Sequence, residues 1–270
     1  MLALFLLGIT ANAQQTESRT VSGFTKVTVS DGVELIYTQN DNITLKAEGT
    51  TNEGLNHLVT KVKNGELIIY QMDKMNQAAG ENTKVYLTAN DISCFVASTK
   101  ATITATSPIF TENMRIDLNS GAAFNATVNA NSKITLNAGT ATVFNIKVIT
   151  ASLDGNFRSD SRINLCGVAT NTIINTSGTA FCLSKNLLTD NAIVDAQDNS
   201  KVLIHAKEKI SINVESSGKV TYTGSPEHTK WNDNAYASIS NKKSNQKTVT
   251  LNYQNNKPSS KKCFNQEKSK

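Results

Sequence analysis

Residues 116–144 read IDLNSGAAFNATVNANSKITLNAGTATVF, and one pattern occurs in them twice. Ile116 and Leu118 stand five and three residues before Gly121, and Ile134 and Leu136 stand five and three before Gly139. Apolar residues at alternate positions line one side of a strand, because successive side chains point to opposite faces. A strand that ends in a short Ser/Gly/Asn turn and then starts again is a coil that can stack on a copy of itself.

Outward from this stretch the turn keeps returning. Thr99-Lys100-Ala101, Gly139-Thr140-Ala141, Gly178-Thr179-Ala180 and Gly218-Lys219-Val220 are spaced by 40, 39 and 40 residues. Ser120-Gly121-Ala122 and Asp198-Asn199-Ser200 form a second set 78 residues apart, with a blurred member between Gly155 and Ser161. The interleaved sets predict an all-β parallel solenoid with coils of about 20 residues. Counted from the turns, Ile173 and Val194 each fall five residues before Gly178 and Asn199, which predicts one inward row. Phe124, Phe144 and Phe181 are expected to form another. Only three residues are Pro, which suits unbroken ladders of backbone hydrogen bonds.

The first half has a different rhythm. Val27 and Val29, then Val33, Leu35 and Tyr37, then Ile43, Leu45 and Ala47 alternate with polar residues around Ser30-Asp31-Gly32 and Asn40-Asp41-Asn42. Lys63-Asn64-Gly65 predicts a tight hairpin. This section is expected to be antiparallel in character and to close one end of the stack, where an open coil would leave unpaired backbone groups.

The ends differ from the body. Met1 to Ala13 is an apolar run finishing in Ala11 and Ala13, the pattern of a removable export signal, although its basic leading region is missing. The run is too short to span a bilayer, and no other transmembrane segment is expected. Residues 226–270 carry 9 Lys and 3 acids, whereas residues 1–225 carry 18 basic and 19 acidic groups. The net charge of +5 therefore belongs to a tail rich in Asn, Lys, Ser and Gln, expected as a solvated extension. Within it, Val249 to Tyr253 has the make-up of one strand, and Trp231 or Tyr236 is placed to dock on the stack. The expected organisation is an export signal over 1–13, an N-terminal strand and hairpin section over 14–91, a β-helix section over 92–226 and a basic tail over 227–270.

Four cysteines, Cys94, Cys166, Cys182 and Cys263, show no zinc-type spacing. They are expected as buried thiols on inward rows, with a Cys166–Cys182 bridge as the alternative, since those two lie about one coil apart.

Several of these segments together resemble a known family. Arg19 through Gly23-Phe24-Thr25-Lys26-Val27, the Asp31-Gly32-Val33-Glu34-Leu35 turn and Lys63-Asn64-Gly65-Glu66-Leu67-Ile68-Ile69 carry the likeness in the first half. The recurring Ser-Gly-Ala/Thr turns and Val220-Thr221-Tyr222-Thr223-Gly224-Ser225-Pro226 carry it in the second. Over residues 19–226 the chain resembles the putative auto-transporter adhesin head GIN domain family, DUF2807. The resemblance implies a right-handed β-helix, an exported protein of a Bacteroidetes-type bacterium, and no agreed catalytic residues. Ser98-Thr99-Lys100-Ala101 and Asp198-Asn199-Ser200 depart from the Ser-Gly turn, and residues 156–160 read as an insertion.

Catalytic chemistry has one candidate location. Asp154, Arg158, Asp160 and Arg162 cluster, and Asp195 and Asp198 lie one double repeat further on. In equivalent turns two coils apart, Asp160 and Asp198 would be separated by about 9 to 10 Å. That is at the edge of the roughly 6.5–9.5 Å of an inverting carboxylate pair. An Arg or Lys beside such carboxylates can also act as the base of an elimination on a calcium-bound uronate. Against this, Asp and Asn are favoured in turns because they bond local backbone. His57, His205 and His228 are scattered, with no nucleophile at an informative spacing. No phosphate loop or metal motif is present, and the neutral body gives no basic face for nucleic acid.

The reading is therefore an exported, non-catalytic, adhesion-like binding module without cofactor or metal, in the periplasm, on the outer surface or outside the cell. Its expected partner is cell-surface glycan or another envelope protein. The alternatives are a polysaccharide lyase or inverting glycosidase using Asp154, Arg158, Asp160, Asp195 and Asp198, or a spacer with no ligand.

Overall fold

A computed structural model describes residues 15–72, 83–232, 235–241 and 247–253. The expected export signal over residues 1–13 and Cys263 lie outside them. The chain forms a β-solenoid of about seven turns with two walls around one core. The central coils are built from β10 (Ile109–Leu118), β11 (Ala123–Ala138), β12 (Val143–Phe157), β13 (Arg162–Thr176), β14 (Phe181–Ala196) and β15 (Lys201–Val214), each parallel to the next. Each strand from β11 to β15 has a first arm on one wall and a second arm on the other. Shifts of register, such as that between Ala130 and Lys133, mark where the strand bends round the core.

Opposite that bend, four-residue turns close each coil. Backbone bonds from Ala122 N to Asn119 O, Ser161 N to Arg158 O, Ala180 N to Ser177 O and Ser200 N to Gln197 O define them. Consecutive left-handed residues make the reversal, as at Ser120 and Gly121 and at Ser159 and Asp160. Thr99 and Lys100 adopt the same conformation without glycine (φ 50° and 63°), at a cost that Asn-Gly would not carry. Successive turns bond to one another through backbone, as from Gly121 N to Thr140 O at 3.0 Å.

Inward side chains from the two walls meet in the core. Tyr37, Phe124 and Phe144 from the first-arm wall and Phe95 and Phe157 from the second-arm wall form one chain of ring contacts, Tyr37–Phe95–Phe124–Phe144–Phe157, with centroids 5.1, 5.6, 6.2 and 6.5 Å apart. Ile116, Leu118, Ile134, Leu136 and Val194 are buried as expected. Ile173 and Phe181 are not: both point outward and are 37% exposed, while Ile174 and Cys182 take the inward places. Glycine is third in the turn at Gly121, first at Gly139 and second at Gly178. A count from glycine therefore slips by one residue, and a slip of one reverses the face.

The N-terminal section combines antiparallel pairs with coils. β1 (Gln15–Arg19) pairs with β4 (Thr44–Gly49), β4 with β7 (Thr83–Ala89), and β5 (Leu58–Lys63) with β6 (Glu66–Gln71), all antiparallel. Parallel stacking begins before residue 92. β2 (Lys26–Val29) lies between β6 and β8 (Cys94–Ala97), and β3 (Glu34–Gln39) lies between β7 and β9 (Thr102–Ala105). The β2–β3 coil is thus inserted between two coils that follow it in sequence. The short helix α1 (Asn52–His57), capped by the Thr51 hydroxyl, joins β4 to β5.

At the other end, β16 (Lys219–Thr223) continues one wall and β17 (His228–Trp231) the other. Part of the tail is structured. β19 (Lys247–Tyr253) runs antiparallel to β16 and to β18 (Ala235–Asn241), and Val249 and Leu251 are buried.

Candidate functional site

The turn edge between Asp160 and Ser217 forms a cleft of about 580 Å³ lined by Asp160, Arg162, Thr179, Phe181, Asn199 and Lys201 among others. Arg162, Phe181 and Lys201 in its lining belong to one outward row, set by the register of β12 to β16, that continues outside the cleft to Val143 and Lys219, one residue per coil. Consecutive members stand about 4.8 Å apart. An exposed phenyl ring therefore has a guanidinium stem on one side and an ammonium stem on the other. Among the described residues, Arg162, Lys201 and Lys219 make no ion pair.

The carboxylates singled out in the sequence divide between two surfaces. Asp160 is third in its turn and Asp198 second in its own, so the two are not equivalent. Both engage the turn between them. The Thr179 hydroxyl donates to the Asp160 carboxylate, and Gly178 N donates to Asp198 Oδ2 at 3.0 Å. Asp154 and Asp195 lie on the outer face of the second-arm wall. Asp154 pairs with Lys133, while Asp195 accepts from Gln197 Nε2 and Asn213 Nδ2, each at 3.2 Å. Arg158 and Asp195 share a cavity of about 200 Å³, apart from the larger cleft.

Asparagine columns stiffen both walls. On the second-arm wall Asn137 Nδ2 donates to Asp117 (2.6 Å), Asn156 to Asn137 (3.0 Å) and Asn175 to Asn156 (3.0 Å). On the first-arm wall Asn145 donates to Asn125 (2.9 Å) and Asn164 to Asn145 (2.7 Å). A mid-column amide uses one N–H and accepts one bond within the column, and its inventory holds a second N–H and a second lone pair beyond these. Near the bend, Ile149, Val168 and Leu188 align in a separate apolar ridge, 49, 48 and 56% exposed.

The described cysteines are free thiols. Cys182 faces the core, where burial pushes its thiol up to about 12, partly offset by its bond to Ser184. Cys94 and Cys166 lie on half-buried outward positions, not on the expected inward rows. Cys166 and Cys182 differ by one in strand parity and so point to opposite faces. His205 bonds Thr223 Oγ1 at 3.1 Å. No group of three or more His, Cys, Asp or Glu among the described residues is arranged to hold a metal ion.

Comparison with family profiles gives a match over residues 23–226 to the putative auto-transporter adhesin, head GIN domain. The chain belongs to this GIN-head family. Solved structures share its fold. A putative lipid binding protein from Parabacteroides distasonis superposes with a TM-score of 0.69 at 18% identity, covering 81% of this chain and 92% of its own. A putative adhesin from Parabacteroides merdae gives 0.66 at 15% identity, covering 82% and 96%. A putative adhesin from Bacteroides fragilis gives 0.61 at 16%, covering 82% and 93%. Comparison with curated proteins gives no match. No helix among the described residues of this GIN-head chain is long and apolar enough to cross a membrane.

From the sequence, Arg162 reads as part of an acidic cluster, Phe181 as core, and Lys201 goes unmarked. The signal that unites them is positional: all three directly follow the last turn residue, Ser161, Ala180 or Ser200.

Proposed function

We propose that the protein is an exported, non-catalytic binding module of the bacterial cell envelope that contacts glycan through the outer surface of its solenoid. The observation that carries this reading is the asparagine columns. They hold amides of the outer face at a regular spacing of about 4.8 Å, cross-linked from coil to coil, and sugar hydroxyls can donate to and accept from such groups. Family membership supports a binding role. The carboxylates required by a lyase or glycosidase reading face two surfaces and are taken up by Thr179, Gly178, Lys133 and Asn213. The apolar run at residues 1–13 supports export, with a basic tail that extends beyond β19.

Glycan and polysaccharide arrays probed with residues 14–270, calcium present, test the reading. Retention on a defined glycan class is expected. Digestion of a spotted polymer would favour the enzyme, and absence of retention would remove glycan as the partner.

A further inference from the structure

We infer that the turn-edge cleft is the sugar-binding subsite and that it takes an acidic sugar, bearing carboxylate or sulfate, stacked on Phe181; this rests on the glycan reading above. The outward row Arg162–Phe181–Lys201 combines the two interactions such a sugar offers. The C–H face of a pyranose ring is apolar and matches an exposed phenyl ring. Its anion matches a guanidinium, which can bind a carboxylate or sulfate through two parallel N–H bonds. Arg162 and Lys201 are two coils apart, about 10 Å, so they can meet anions on either side of the stacked ring.

Three observations favour this cleft over the rest of the surface. Residues 1–225 are close to neutral, with 18 basic and 19 acidic groups, yet two cations free of ion pairs, Arg162 and Lys201, line this cleft, and a third, Lys219, continues their row. The one acid in the lining, Asp160, accepts from the Thr179 hydroxyl, and Asp198, outside the lining, accepts from Gly178 N. Phe181 is 37% exposed because Cys182 holds the inward place, so its ring faces the cleft and is open to a ligand. A volume of about 580 Å³ suits a small ligand or a short stretch of polymer. Asn199, Thr179 and Ser217 add amide and hydroxyl groups at the rim.

Titration calorimetry on residues 14–270 tests this with three tetrasaccharides, tetragalacturonate, a sulfated galactan free of carboxylate, and cellotetraose, and with oligothymidylate as a fourth ligand. At least one acidic sugar is expected to bind more tightly than cellotetraose, and the two acidic arms identify the anion. Phe181→Ala and Arg162→Gln should each weaken that binding about tenfold or more. Phe181→Tyr should retain it, and Lys46→Gln, on β4, should not change it. Since Phe181 and Arg162 point outward, the thermal melts of their variants should stay close to that of the parent. Equal affinity for cellotetraose, or acidic binding untouched by both variants, overturns the inference and leaves the glycan reading standing. Tighter binding of oligothymidylate, lost in the same variants, overturns it in favour of nucleic acid. No binding here or on the arrays overturns both.

Discussion

The N-terminal coils and the central coils share one cross-section but are joined and braced differently. From β10 to β15 each coil stacks on the one made just before it, and neutral amide columns link the outer faces. In the N-terminal part, the β2–β3 coil lies between coils formed later in the chain. Two ion pairs brace it against its outer neighbour, Lys26 with Glu66 at 3.2 Å and Lys84 with Glu34 at 3.3 Å. A local stack can be extended coil by coil, whereas an inserted coil requires distant segments to close around it. The same wall can thus be a set of neighbouring units in one region and a single cooperative unit in another.

The largest expected effect contrasts Leu35 with Leu136. Leu35→Ala and Leu136→Ala remove comparable buried side chains and should each cost about 3 kcal/mol in denaturant unfolding. Hydrogen exchange should separate them. Leu35→Ala should loosen β6 to β9 together, whereas Leu136→Ala should loosen only coils adjacent to β11. Loss confined to β3 in the first variant would contradict the inserted-coil account.

A smaller break uses Gly167. Its φ of +112° and a Cβ that would lie 2.0 Å from Val148 O make alanine costly, by about 2–3 kcal/mol. An unchanged melt would show that β12 and β13 do not approach so closely. Asn156→Ala interrupts an amide column and should cost about 1 kcal/mol, equally at pH 4 and pH 7. The smallest effect concerns Glu66, whose carboxyl the Thr28 hydroxyl and Lys26 hold below its ordinary value. Its contribution is present above the unfolded value of about 4.3 and is lost as pH falls through the lower folded value. Glu66→Gln should therefore lower the melting temperature slightly at pH 7, and by progressively less as the pH falls through the lowered folded value. A difference that grows in acid would contradict this bracing.

Much of the fold is legible in the sequence because turn chemistry and two-residue alternation act locally. Ser120-Gly121 and Ile116, Leu118, Ile134 and Leu136 suffice to reveal a coil. The candidate site was less legible because glycine does not mark a fixed turn position, and the resulting slip exchanged Phe181 with Cys182 and Ile173 with Ile174. Asp160 and Asp198 do lie in equivalent turns two coils apart, but third in one and second in the other, a difference the spacing of 38 residues does not reveal. The β2–β3 insertion leaves no local mark, since a parallel strand accepts neighbours from any part of the chain. The tail's composition suggested a solvated extension, but Val249 and Leu251 find a buried place beside β16, a partner that composition does not reveal.

Hydroxyl-radical footprinting of residues 14–270, with and without tetragalacturonate or the sulfated tetrasaccharide, tests most directly the claim that ligands meet the turn edge. The account predicts protection of Phe181 and of the turns at 158–161 and 177–180, with Ile149, Val168 and Leu188 unchanged. Protection of that apolar ridge, with Phe181 as reactive as in the free protein, would contradict it.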